Sequence, residues 1–252
     1  MVSLKILPDI IIDKIRSYVI FTPKEYGELK KAVDLLWFNN KLACKLYGHI
    51  SLWNTIYITD MSGLFSSNIN FITSFIAQSF NQSLNNWNVS NVTDMSGMFS
   101  GTKKFNQPLN NWNVSNVTNM YCMFYYAYKF NQPLNNWDVS SVTNMEMMFD
   151  HAISFNQPLN NWNVSNVEDI GKMFRGAESF NQPLNNWDLG SIEDMKCIFG
   201  DTKLFNNLDE CNYQEAIDGS YSDDDDSDDD DSDDDDSDDD DSDDDDSDSI
   251  DF

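Results

Sequence analysis

Phe105-Asn-Gln-Pro-Leu-Asn-Asn-Trp-Asn-Val-Ser-Asn-Val-Thr-Asn-Met120 opens a unit that returns every 25 residues. Its phenylalanine recurs at Phe80, Phe130, Phe155, Phe180 and Phe205, and its tryptophan at Trp87, Trp137, Trp162 and Trp187. A fixed period of this length marks an architecture of stacked repeats. One unit holds too few apolar side chains to offset the entropy of ordering it, so the array is expected to fold as a block.

Within a unit, Leu84-x-x-Trp87-x-Val89 has the spacing of a leucine-rich-repeat strand. Val92, Met95, Met98 and Phe99 follow at steps of three or four, which predicts one or two helical turns. Thr93 is the expected N-cap, with Asp94 beside the positive helix end and Gly101 closing the turn. Pro108, Pro133, Pro158 and Pro183 fall in the return loop, where no ladder N–H is needed. The predicted fold is therefore an α/β repeat solenoid, leucine-rich-repeat-like, with a short strand and a short helix per unit. It spans residues 46–207. A degenerate first unit occupies 46–65, nine extra residues follow in the Asn68–Ser79 stretch, five full units run from Phe80, and a partial unit begins at Phe205.

The unit closely resembles the 25-residue repeat of BspA-like leucine-rich proteins: Phe-Asn-Gln-Pro-Leu, then Trp-Asn/Asp-Val-Ser-x-Val-Thr-x-Met, then Met-Phe. That resemblance implies a solenoid used for binding. Bacterial members of the family are secreted surface proteins, and related repeats occur in intracellular proteins of protists and large DNA viruses.

Residues 1–53 read as a three-helix module. The first helix enters through Pro8 and carries Ile11, Ile12, Ile15 and Val19 on one face. A second is expected from Thr22-Pro-Lys-Glu25, with Thr22 as N-cap and Glu25 completing a capping box, and with Tyr26, Leu29, Val33, Leu36 and Trp37 buried. A third is expected around Asn40–Leu46. The module resembles an F-box: Leu7-Pro8 at the opening, spaced aliphatics after it, and Leu52-Trp53 at the close. The family's acid two residues after the proline is Ile10 here, and the nearest acid is Asp9. The resemblance implies docking on the Skp1-type adaptor subunit of a cullin ubiquitin ligase through Leu7, Pro8, Ile11, Ile12 and Ile15. The alternative is a helical cap that only seals the array.

Comparing units within the chain separates fixed positions from free ones. The Asn-Asn pairs ending at Asn86, Asn111, Asn136, Asn161 and Asn186 never change, as expected of a stacked amide ladder. The segment after the expected helix changes freely: Ser100–Lys104, Tyr125–Lys129, Asp150–Ser154, Arg175–Ser179 and Gly200–Leu204. It gathers Tyr121, Tyr125, Tyr126 and Tyr128 beside Lys103, Lys104 and Lys129, a candidate patch for an unknown target protein because tyrosine is favoured at binding hot spots.

The formal net charge of −28 is unevenly placed. Of 43 acidic residues, 22 are aspartates in Ser222–Phe252, a segment without a base. Residues 208–252 are expected to be a disordered acidic tail. Ser222, Ser227, Ser232, Ser237 and Ser242 each have an acid three residues on, the pattern acid-directed kinases favour. The tail reads as an arm for basic proteins or as a solubilising appendage. Such charge repels nucleic acid and anionic membrane, and no apolar run approaches the length of a membrane span.

The four cysteines lack zinc-site spacing. Cys122 and Cys197 share a repeat position three units apart, roughly 14 Å at ~4.8 Å per unit, beyond the ~7 Å reach of a disulfide. Free thiols and the lack of a signal peptide point to an intracellular protein, in cytoplasm or nucleus. His49 and His151 sit in no motif, and no phosphate loop, nucleophile elbow or metal-ligand spacing occurs. The expectation is a non-enzymatic adaptor without a cofactor, whose repeats hold a protein for ubiquitination. The competing expectation is a binding or surface protein with no ubiquitin link.

Overall fold

The computed structural model describes residues 20–66, 77–192 and 198–199. The expected helix at 8–19 with its docking residues Leu7, Pro8, Ile11, Ile12 and Ile15, most of the nine-residue insertion, the partial unit at Phe205, and the tail with its five serines lie outside the described residues.

The one α-helix described in full, α1, spans Tyr26–Tyr47. Leu29, Ala32, Val33, Leu36 and Ala43 form its buried face, while Tyr26 and Trp37 are partly buried against the core. Its start differs from expectation. The Thr22 hydroxyl donates to the Ile20 carbonyl at 3.1 Å and caps nothing. Glu25, in extended conformation, is the residue before the helix, and Glu28 reaches back to accept from the Lys24 N–H at 2.7 Å. The expected third helix is the second half of α1, separated by a kink at Asn39 (φ −156°, ψ 80°). Asn39 Oδ1 accepts from the Leu42 N–H at 2.9 Å and so starts that half as an N-cap does. Gly48, at φ 74°, ends the helix by donating to the Cys44 carbonyl. A single 3-10 turn, Ile50–Leu52, leads into the first repeat.

The repeats contradict the predicted alternation of strand and helix. Among the described residues they form a stack of overlapping β-turns, joined by isolated parallel bridges at Asp60–Asp94, Asp94–Asn119, Asn119–Asn144 and Asn144–Asp169. The hydrogen bonds give the reason. In the segment predicted helical, Met95, Gly97, Phe99 and Gly101 donate to the carbonyls of Asn119, Tyr121, Met123 and Tyr125 in the next unit, at 2.7–2.9 Å. The alternate donors, Met98, Ser100 and Thr102, close turns onto Met95, Gly97 and Phe99. A helix needs each N–H to meet the carbonyl four residues back. Here half of them leave the unit, and the pattern recurs from Met120 and again from Met145. The segment predicted to be a strand instead folds into turns closed by Trp87 N–H to Leu84 O and Val92 N–H to Val89 O, both 2.9 Å. Thr93 caps no helix: its N–H and hydroxyl both donate to the Thr59 carbonyl.

The core is a set of aromatic columns running through the units. Phe65, Phe99, Phe124, Phe149, Phe174 and Phe199 stack at 5.5–5.8 Å between ring centroids. Phe80, Phe105, Phe130, Phe155 and Phe180 form a second column at 5.7–6.1 Å. The two lock together through contacts such as Phe124–Phe130 at 4.0 Å. The buried indole N–H groups from Trp87 to Trp187 each donate to a carbonyl of the preceding unit, as Trp112 does to Leu84 at 2.9 Å, while Trp53 donates to Gly48. At one end of the stack α1 lays Trp37 edge-on against Phe65 and Phe80, at 6.2 and 5.4 Å, and Tyr26 donates to the Ser62 carbonyl.

Candidate interaction face

Many of the polar residues that never change between units bond to the unit beside them. Asn131 Oδ1 accepts the Asn156 backbone N–H at 2.9 Å and the Gln157 amide at 3.0 Å, and Asn81, Asn106 and Asn156 repeat the arrangement. In the Asn-Asn pairs, Asn85 and Asn135 accept the backbone N–H of Asn111 and Asn161. At a position that alternates between Asn and Ser, Asn116 and Asn166 donate to the Ser90 and Ser140 carbonyls and Ser141 to the Ser115 carbonyl, all at 2.7 Å. These side chains hold neighbouring units in register, which leaves them little freedom to recognise a partner. A shallow groove of about 320 Å³ lined by Asn85, Asn86, Trp87, Asn88, Val89, Asn111 and Asn113 runs beside them.

The residues that do change share other columns. The inter-unit hydrogen bonds place Gly97, Cys122, Met147 and Lys172 at one equivalent position, and Gly101, Tyr126, His151 and Gly176 at another. Lys104, Lys129, Ser154 and Ser179 form a third, and Lys103, Tyr128, Ile153 and Glu178 a fourth. They belong to one segment of each unit, so the stack sets them on one face.

On that face the structure gathers most of the sequence-predicted patch. Tyr126 packs edge-on to Tyr125 at 4.4 Å and tilted to Tyr128 at 5.7 Å. Lys103 Nζ lies 5.3 Å above the Tyr128 ring. Lys104, Tyr121 and Lys129 are exposed. Tyr121 belongs to an earlier turn than the other tyrosines and reaches the group through Cys122, with which it shares a hydrogen bond. That bond, more than burial, pushes the Tyr121 hydroxyl up to about 12. Burial first, then the neighbouring Tyr126, pushes Tyr125 up to about 12. Burial also pushes the Cys122 thiol up to about 11.

Six members of this face were not singled out from sequence as part of the patch. Cys122 Sγ lies 3.9 Å from Met147 Sδ. The His151 ring stacks on Tyr126 at 4.5 Å with 3° between planes. Asp150 is fully buried; its carboxylate takes Arg175 at 2.9 Å and His151 Nδ1 at 2.5 Å. Burial draws the Arg175 guanidinium down, but Asp150 more than offsets this, and Arg175 stays charged. Gly176 makes room for the ring: a Cβ there would sit 2.9 Å from His151 Cδ2. The only sequence signal was that positions 150, 151 and 175 vary between units, which does not reveal that they meet.

No group of three or more metal-ligating side chains occurs among the described residues. No described helix is long and apolar enough to cross a membrane.

A stack of 25-residue turns, fixed by amide ladders on some positions and variable on others, defines a protein of the BspA-like repeat class. Residues 36–145 and 116–214 match the family model described as "Mycoplasma protein of unknown function, DUF285", and the chain belongs to that family. Nothing among the curated proteins or the solved structures matches the chain.

Proposed function

We propose that the chain is a non-catalytic adaptor whose N-terminal module docks on a Skp1-type subunit of a cullin ubiquitin ligase and whose repeats hold the protein to be modified. The observation that carries this reading is the placing of exposed apolar side chains. Among the described residues, Ile20, Phe38, Leu42, Leu46, Leu52 and Tyr57 are exposed, all of them in or beside the N-terminal module, against Tyr121 alone in the later units. Leu42 and Leu46 are four residues apart on the second half of α1 and form one stripe there, and Phe38 is exposed just before the kink at Asn39. A module that served only as a lid has no use for such a stripe, whereas a docking module does. The function needs no cofactor, and the variable face is the target-holding surface.

The full chain, immobilised, is tested for capture of a purified Skp1-type protein beside a Leu7→Ala/Pro8→Ala double variant and a Phe38→Ser/Leu42→Ser double variant. Capture lost in both variants supports the adaptor. No capture by the folded wild-type chain removes the ubiquitin link.

A second reading keeps the repeats as a binding surface and makes the helical module a cap, with no ubiquitin link. The packing of Trp37 on Phe65 and Phe80 favours it. A secreted form would meet glycosylation at Asn-x-Ser/Thr sites such as Asn91 and Asn116. Their amides donate to the Ile56 and Ser90 carbonyls at 2.7 Å, so a glycan there breaks the ladder. A glycosidase mobility shift checks this.

A further inference from the structure

Lys104 and Lys129 occupy the same position in adjacent units. Lys104 N–H donates to Gln78 O and Lys129 N–H to Lys103 O, one repeat apart. Their side chains emerge side by side at about the unit spacing, both exposed. Like charges opposed across a ladder repel. The usual remedy is an interleaved carboxylate, and among the described residues there is none: neither ammonium has an acidic partner there, and the same column continues as Ser154 and Ser179. The nearby Asp150 is buried and already held by Arg175 and His151. Lys103 leans along the stack to lie over Tyr128, which brings a third cation to the same place. Beside the lysines, the column of Tyr126 and His151 presents flat half-buried rings, and Tyr125 and Tyr128 flank them. A second feature points the same way. Tyr126 and His151 hold left-handed backbone (φ 56° and 54°) where the units on either side have Gly101 and Gly176. The turn imposes the same backbone on Cys122, Met147 and Lys172, so what sets this column apart is that two of its left-handed sites carry large half-buried rings.

We propose that this face takes an acidic peptide segment of the target protein, its carboxylates bridging Lys104 and Lys129 with Lys103 beside them, and an apolar side chain lying against Tyr125, Tyr126 and Tyr128. The inference rests on the adaptor reading only in calling the ligand a target; the face would bind the same chemistry with no ligase involved. Carboxylate binding turns the repulsion between the two lysines into attraction for a shared anion, and the rings add contact area that costs little side-chain entropy.

The test uses the full chain and a dye-labelled octapeptide of glutamates around a central leucine, followed by fluorescence anisotropy. Binding is expected for the wild type and is expected to weaken about tenfold or more in Lys104→Glu/Lys129→Glu, with loss on raising the salt. Lys41→Glu, an exposed lysine on α1, is expected to leave it unchanged. Tyr126→Gly, which suits the left-handed backbone and so preserves the fold, is expected to weaken binding without lowering the melting temperature. Equal binding by wild type and the Lys104/Lys129 variant, or no binding by either, overturns the proposal. Capture of the Skp1-type protein is read on the same preparations. Capture without peptide binding sinks this inference and leaves the adaptor, while peptide binding without capture does the reverse.

Discussion

At position 172 the backbone is left-handed (φ 55°) and carries a lysine, where the equivalent Gly97 has φ 59°. The turn geometry demands that conformation in every unit, because the residues on either side send their N–H groups to different units. A non-glycine residue there costs about 1–2 kcal/mol, against about 0.5–1 kcal/mol of extra unfolded-state entropy for glycine. Lys172→Gly should therefore stabilise the chain by about 0.5–1 kcal/mol, and Gly97→Ala should destabilise it by about 1 kcal/mol. Denaturant melts on both variants check the sign. Another member of the same column makes a different prediction. Cys122 is buried with its thiol pushed up to about 11, whereas Cys44 is exposed. The thiolate is the reactive form, so Cys122 should alkylate about a hundredfold more slowly than an ordinary thiol at pH 8, its rate rising about tenfold per pH unit. Peptide-resolved mass spectrometry of iodoacetamide labelling measures this. An equal rate at Cys44 and Cys122 would refute the packing around Tyr121. The same shifts set the alkaline limit. The folded Cys122, Tyr121 and Tyr125 keep their protons above the pH at which the unfolded chain loses its own, so stability should fall as pH rises past about 9.

Among the elements, α1 shows what the sequence could and could not reveal. The spacing of Leu29, Val33 and Leu36 marked a buried face, because side-chain periodicity in a helix is a local property. The start was misplaced since Thr22 and Glu25 offered a capping pair whose geometry another bond, to Ile20, had already taken. In the repeats, Val92, Met95, Met98 and Phe99 are all fully buried. Steps of three and four were read as a helix, yet overlapping β-turns bury the same positions. What separates the two is where alternate N–H groups go, and their partners lie one repeat away in the neighbouring unit. The patch was partly legible because tyrosines and lysines cluster in sequence. Its Asp150–Arg175 pair was not, since the two residues lie one full unit apart. The role of α1 as cover gives the prediction at this scale. Trp37 lies against Phe65 and Phe80, while the adjacent Phe38 is 66% exposed. Trp37→Ala should cost about 3 kcal/mol, and Phe38→Ala less than about 0.5 kcal/mol. Comparable losses in a denaturant titration would mean that α1 does not seal the stack through Trp37.

For the molecule as a whole, register is the property that matters, and it is enforced unevenly. Nine extra residues between the first and second units leave the Phe65–Phe99 column and the Asp60–Asp94 bridge intact. The stack therefore accepts a change in length ahead of Phe80. The Met-to-Phe segment has no such slack. Its donors alternate between the next unit and a local turn, and its left-handed positions fall on fixed members of that alternation. Removing residues 123–147 joins Cys122 to Met148 and restores the pattern, since Met148 takes the place of Met123. The shortened chain should fold in one cooperative transition, with stability lowered by about one unit and its interface, as in other stacked repeats. Removing residues 124–147, one residue fewer, puts Met148 where Phe124 belongs. Every later donor in that unit then points the wrong way, the left-handed sites fall on the wrong residues, and the aromatic columns break between Phe99 and Phe149. The larger deletion should melt cooperatively, and the smaller one should lose near-ultraviolet circular dichroism from the stacked rings and expose the C-terminal units to protease. If both shortened chains melted alike, the turn ladder would be too compliant to set the register, and the aromatic columns would have to carry it alone.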